Sequence, residues 1–272
     1  MTGKINLSLI LSSGTLALFV VLALFAPLAA PYSPTEVLTN PYATPSVDHW
    51  LGADTLGRDL LSRSIYGLRY TLGISLFVTV VACAIGVTLA ILAAVRRGWI
   101  DVLIGRTVDA IMAIPQIIFA LIVLAVAGVS LKTLVGTMIV LETTLFFRIL
   151  RASAGDIAVM DFIEVARLRG ETLRWYIFRE ILPNLAPTLI AEFGLRFAFA
   201  SLFISALSFL GVGIQPPDAD LGGLVRENAL AISAGKVAPL FPAIAIAMIA
   251  VSTNGIVDFL IRKYSVRGEL QA

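Results

Sequence analysis

Long apolar runs separated by short polar breaks dominate this chain. Six of them, at approximately Leu9–Ala29, Tyr70–Val95, Val102–Gly128, Leu134–Ala152, Pro187–Gly213 and Pro239–Ile261, are long enough to carry a helix across about 30 Å of hydrocarbon. None shows the residue-by-residue alternation of a barrel strand. Backbone in lipid must satisfy its own hydrogen bonds, so the spans are predicted to be helices and the fold to be all-α. The first run has a second reading: Lys4, an apolar core and "APLAA" look like a secretory signal with its cleavage site. Its core exceeds the roughly 7–15 residues of such signals, which favours an uncleaved anchor.

The polar breaks organise the rest. Residues 30–69 begin with the proline- and turn-rich "APYSPTEVLTNPYATPSVDHW", read as an extended connection, and finish with "GADTLGRDLLSRSIYGLR", read as an amphipathic helix lying on the membrane surface. Residues 214–238 form a second loop on the same side, with a short helix expected to dip inward. The divisions expected are 1–69 (first span and outer segment), 70–265 (five spans with a loop at 156–183) and 266–272 (tail). No fixed-period repeat occurs.

Composition strengthens the membrane assignment. Hydrophobic residues make up 58% of the chain and mean hydropathy is +0.94, against an apolar share of about 45–50% in soluble domains. The net charge of +2 and the scattered basic residues exclude a nucleic-acid surface. Cys83 is the only cysteine and lies in an apolar run, so no disulfide is available. His49 is the only histidine, beside Trp50 in a loop, and no partner set for a metal accompanies it. With the N-terminus inside, thirteen Lys and Arg fall on the cytoplasmic side and six outside, with Arg196 within a span. The positive-inside rule then places both termini in the cytoplasm.

Enzymatic signatures are missing. No G-x-x-x-x-G-K-[ST] phosphate loop, H-E-x-x-H or G-x-S-x-G occurs. The charge is concentrated instead in "EVARLRGETLRWYIFREILPN", residues 164–184. "GDIAVMDFIEVARLRG" reads as a helix bordered by Asp156, with Ile157, Met160 and Ile163 along one side and Glu164 and Arg167 paired at i, i+3. Gly170 ends it where a left-handed turn is cheap, and "ETLRWYIFREIL" forms a second helix stopped by Pro183. The bland reading is a solvated loop that fixes topology. The sharper one is a knuckle whose Met160 and Ile163 enter a partner's groove.

Glu164, Val165, Ala166, Gly170, Ile181, Leu182 and Pro183 resemble the "EAA" signature of permease subunits in ATP-binding-cassette importers, with Val165 departing from the family's alanine. The resemblance covers nearly the whole chain. "LALFAPLAAPYSP", "RTVDAIMAIPQ", "RILRA", "LSFLGVGIQPP" and "LGGLVREN" are similar to blocks of the dipeptide, oligopeptide and nickel permeases of the second-subunit type. "LGADTLGRDLLSRSIYGLR" looks like their outer segment, with Gly52, Asp54, Gly57, Arg58, Asp59 and Arg63 in place. A carboxylate often found a few residues before "LSFLG" is replaced here by Ile204.

The resemblance implies a type I importer-like permease of six transmembrane helices in the bacterial plasma membrane. It would pair with a sister permease and two ATPase subunits, and receive solute from an external binding protein. This chain would bind no cofactor; ATP and Mg would sit on the ATPase subunits. Met160, Ile163, Glu164, Val165, Ala166, Arg167, Gly170 and Pro183 would couple ATP turnover to the spans. Three ionisable residues within the spans stand outside the resemblance. Glu192 and Arg196 form either a structural i, i+4 pair or a contact in the pathway. Glu142 lies near the cytoplasmic gate or pairs with Arg148. Arg106 and Asp109 are expected to pair. Peptides are the favoured solute, with nickel or a chelated metal as the alternative. An ion-driven secondary carrier and a membrane scaffold remain more distant readings.

Overall fold

The computed structural model describes residues 7–96 and 98–269, without the side chains of Arg167, Ala234 and residues 263–269. Lys4, Arg97 and residues 270–272 of the tail lie outside the described residues, as do the side chains of Arg167, Lys263 and Arg267 and with them the expected Glu164–Arg167 pair.

Helix α1 (Leu7–Leu24) is followed by a single turn, α2 (Ala26–Ala29), so the first span ends sooner than its apolar run. The long α3 (Leu60–Arg96) comes next. The surface helix expected at residues 52–69 does not form. Residues 51–59 fold as a loop with isolated bridges Val37–Arg58 and Ala53–Asp59, and Leu60–Arg69 is the first part of α3. The boundary at residue 69 therefore falls inside a helix. Asp59 starts α3 by accepting the Ser62 backbone N–H at 2.8 Å, and nothing between Leu60 and Tyr70 interrupts it.

The third span is broken. Helices α4 (Trp99–Met112) and α5 (Gln116–Ala127) meet at 87° across Ala113–Pro115. Pro115 disfavours helical backbone at Ile114 and lacks an N–H. Helix α6 (Leu131–Ile157) is capped by Ser130, whose side chain accepts from Thr133 N. Short helices α7 (Asp161–Leu168) and α8 (Leu173–Tyr176) precede a π-turn, Ile177–Ile181, that leads without a break into α9 (Leu182–Phe209). After α10 (Leu221–Glu227) and a 3₁₀ stretch (Ala229–Ala234), α11 (Leu240–Glu269) completes the bundle. Among the described residues, five helical stretches are long and apolar enough to cross a membrane, and the α4–α5 pair is a sixth if its bent halves form one span.

Helices α3, α6 and α9 form the centre, with α1 and α11 packed along one side. One apolar cluster joins α3, α6 and α9 to α7 through Ala90, Phe146, Leu150, Ile163 and Leu185. A second joins α3, α5, α6 and α9 nearer the opposite end through Val78, Leu124, Met138 and Ile204. Gly86 permits the close approach of α3 to α6, since a methyl there would strike Phe146 Cβ.

Candidate functional site

Three groupings of side chains stand out, one at each end of the bundle and one near its middle. At one end, residues 158–181 form an elbow. Helix α7 begins at Asp161, not Asp156, because Asp156 and Ile157 complete α6. Gly170 takes the left-handed conformation expected of it, φ +77°. Thr172 then caps α8, its hydroxyl accepting from Trp175 N at 3.3 Å.

Pro183 does not stop the second arm. The π-turn bonds Leu182 N to Ile177 O, and Pro183 falls in the first turn of α9, where its missing N–H costs little. The arm after Gly170 is thus the root of a membrane-length helix, with no free knuckle.

The elbow's two faces differ from the expectation. Ile163 is only 1% exposed and, with Ala166, packs against Ile157, Tyr176 and Ile181 in the core of the bundle. It is not presented to a partner. The outward stripe comprises Met160, Phe162, Val165 and Leu168, the last 82% exposed, with Glu164 exposed beside them. Phe162 and Leu168 escaped the sequence reading, although their i, i+3, i+6 spacing with Val165 was available.

Near the middle, Glu192 and Arg196 on α9 form the expected pair, Arg196 Nε donating to Glu192 Oε1 at 2.6 Å. The Arg196 guanidinium carbon also lies 6.0 Å from the centre of the Phe199 ring. Glu142 sits mid-way along α6, not near its end, and is 1% exposed. Arg148 is exposed and does not pair with it, and neither Glu142 oxygen has a hydrogen-bond partner among the described residues. Arg106 and Asp109 make no ion pair. The ion pair at that end joins Arg151 to Asp101, at 2.5 and 2.7 Å, because α6 brings Arg151 alongside α4.

At the other end, a buried ion cluster binds the 51–59 loop to α3 and α10. Asp54 Oδ2 accepts from Arg58 Nε at 2.7 Å and from Arg63 Nη1 at 2.6 Å. Glu227 Oε2 accepts from Arg58 Nη2 at 2.9 Å and from Arg63 Nη1 at 2.6 Å. Burial alone would raise the Asp54 carboxyl. The Arg58 and Leu56 backbone N–H groups and the Arg63 and Arg58 guanidiniums outweigh it and hold that carboxyl below its ordinary value. Asn228 Oδ1 accepts from Thr55 N at 3.1 Å, and Asp59 accepts from the Ser62 hydroxyl and lies 3.0 Å from His49 Nδ1. Gly57, at φ +79°, has no room for a Cβ against Thr39 O. Asp54, Gly57, Arg58 and Asp59 thus come together. Arg63 and Glu227 complete the cluster; both stand in motif blocks, but their mutual contact spans 164 residues.

The family described as "Binding-protein-dependent transport system inner membrane component" matches residues 86–266. The dipeptide transport system permease protein DppC of Alkalihalophilus pseudofirmus is 34% identical over 245 residues, 89% of this chain and 80% of that protein. The glutathione transport system permease protein GsiD of Pectobacterium atrosepticum is 33% identical over 216 residues, 79% of this chain and 72% of that protein. Among solved structures, an inward-facing MetNI methionine ABC transporter chain superposes with a TM-score of 0.59 at 16% identity, covering 74% of this chain and 97% of that one. That likeness concerns the fold.

Proposed function

Because the chain belongs to the family of binding-protein-dependent transport system inner membrane components and is an ABC importer permease subunit, we propose that it carries peptides or peptide-like solutes. The naming of dipeptide and glutathione permeases among its relatives favours peptides over nickel. In this reading a sister permease completes the pathway, an external binding protein delivers solute, and two ATPase subunits supply the free energy. ATP and Mg are bound by those subunits.

The elbow is the coupling element. The observation that carries this assignment is its two-sidedness. Ile163 and Ala166 lock α7 to the bundle, while Phe162, Val165 and Leu168 offer an apolar stripe to a second protein. Both of its ends join central helices: α6 leads into it through the turn at 158–160, and the π-turn joins it to α9. Displacement of a docked ATPase is therefore transmitted to two central helices. It does useful work only if docking favours different ATPase states unequally.

The test replaces Leu168 by Asp in the full complex. Leu168→Asp should abolish co-purification of the ATPase subunits and ATP-driven peptide uptake, while the sister permease still co-purifies. Wild-type ATPase recovery and uptake would overturn the docking assignment. Uptake of peptides by the chain without ATPase subunits would overturn the importer mechanism in favour of a secondary carrier.

A further inference from the structure

Glu142 is a buried ionisable group for which the transport reading has no use. A carboxylate at such depth costs several kcal/mol unless it is paired or neutral, and both its oxygens lack a partner. The charges that act on it are those of Arg196 and Glu192 on α9, which packs against α6. Arg196 uses only Nε in bonding Glu192, so both of its Nη groups remain available as donors among the described residues.

We propose that Glu142 and Glu192 exchange Arg196 and a proton during the transport cycle, a step that rests on the coupling role of the elbow. In the arrangement seen here Arg196 is bonded to Glu192 and Glu142 has no partner, and the proton of the two acids is assigned to Glu142. In the other, the guanidinium swings to Glu142. The Glu142 O–H bond breaks, its proton passes to Glu192, and the electron pair of the broken bond stays as the Glu142 carboxylate. Each arrangement contains one guanidinium, one carboxylate and one neutral carboxyl. The burial costs therefore nearly cancel, and a small bias selects between them.

That bias comes from the fold. Glu142 lies on the helix that enters the elbow, and Glu192 and Arg196 lie on the helix that leaves it. Movement of the elbow shifts α6 relative to α9, and with it the distance between Glu142 and Arg196. On α6 itself the other charges, Lys132, Arg148, Arg151 and Asp156, stand six or more residues from Glu142. Between residues 70 and 95, α3 offers only Tyr70 and Cys83 as titratable groups, α5 has none, and α9 has only Glu192 and Arg196. Helix α4 carries Asp101, Arg106 and Asp109, of which Asp101 is held by Arg151.

The test is infrared difference spectroscopy on the complete complex in lipid nanodiscs, nucleotide-free against ATP-bound. A carbonyl band of a protonated carboxyl in the nucleotide-free state should vanish in Glu142→Gln. A shifted band in the ATP-bound state should vanish in Glu192→Gln. Each substitution should lower ATP-driven uptake by at least about tenfold, and the apolar Glu142→Leu should behave as Glu142→Gln does. Unchanged spectra in Glu142→Gln, or wild-type uptake in Glu142→Leu, would overturn the exchange while leaving the coupling role intact if the ATPase subunits still co-purify. Loss of the ATPase subunits from the wild-type complex would instead overturn the coupling role and the exchange with it.

Discussion

At the scale of single residues, the cluster joining Asp54, Arg58, Arg63 and Glu227 shows how ions are buried at a tolerable cost. Arg63 is 3% exposed and satisfied by two carboxylates. Removing it takes one of two guanidiniums from Asp54 and one from Glu227, so Arg63→Ala should destabilise the fold by about 3 kcal/mol, the lower part of the range for breaking a buried pair. Thermal unfolding in nanodiscs measures this. Two acids here respond oppositely to pH. Asp54 is held low, so its contribution is present above the ordinary carboxylate value and is lost as pH falls through the depressed one. Asp220 caps α10, and its buried carboxyl is pushed up to about 6, burial outweighing the Gly223 N–H. Its contribution is full below the ordinary value and is lost as pH rises to about 6. Asp220→Asn keeps the cap, so it should melt with the wild type near about pH 4 and above it near about pH 8. A flat difference between the two across that range would refute the assignment. Of these residues, Asp54 and Arg58 were legible because they stand close together in one motif. Glu227 was not, since one sequence does not reveal a partner 169 residues away.

At the scale of elements, two prolines in similar contexts give opposite outcomes. Pro115 breaks a span at 87°, whereas Pro183 is absorbed into a helix already widened by a π-turn. Hydrophobic length located the five membrane-length helices and the bent α4–α5 pair, because lipid imposes that length directly. It could not show the bend, since the apolar run continues through Pro115 on both sides. It also split α3 too early, because the polar residues Arg63, Ser64 and Arg69 suggested an interfacial helix when Arg63 and Ser64 are in fact buried in the bundle. The bend should depend on the proline. Pro115→Ala restores an N–H and frees Ile114 to be helical. Spin labels at Leu103 and Val126, both exposed, should then report a longer separation. An unchanged distance would mean that packing of α4 on α3 and α6 sets the angle.

At the scale of the whole molecule, the sidedness of the membrane decides whether the elbow can meet an ATPase at all. By the positive-inside rule, the thirteen-to-six division of basic residues predicts the elbow in the cytoplasm and the Asp54 cluster outside. Helix α3 links the two ends: its first turns hold the ion cluster, and its last turns pack near Ile157 and Ile163. One orientation therefore fixes both ends. Leu168 is 82% exposed and Trp50 71%, so a thiol at either site would be open to reagent. Cys83 is the only native thiol, and Cys83→Ser gives a clean background. In intact spheroplasts a membrane-impermeant maleimide should label Trp50→Cys and spare Leu168→Cys until the membrane is opened. The reverse pattern would place the apolar stripe of α7 away from every ATPase subunit, and the coupling of this bundle to nucleotide turnover would have to run through some other surface.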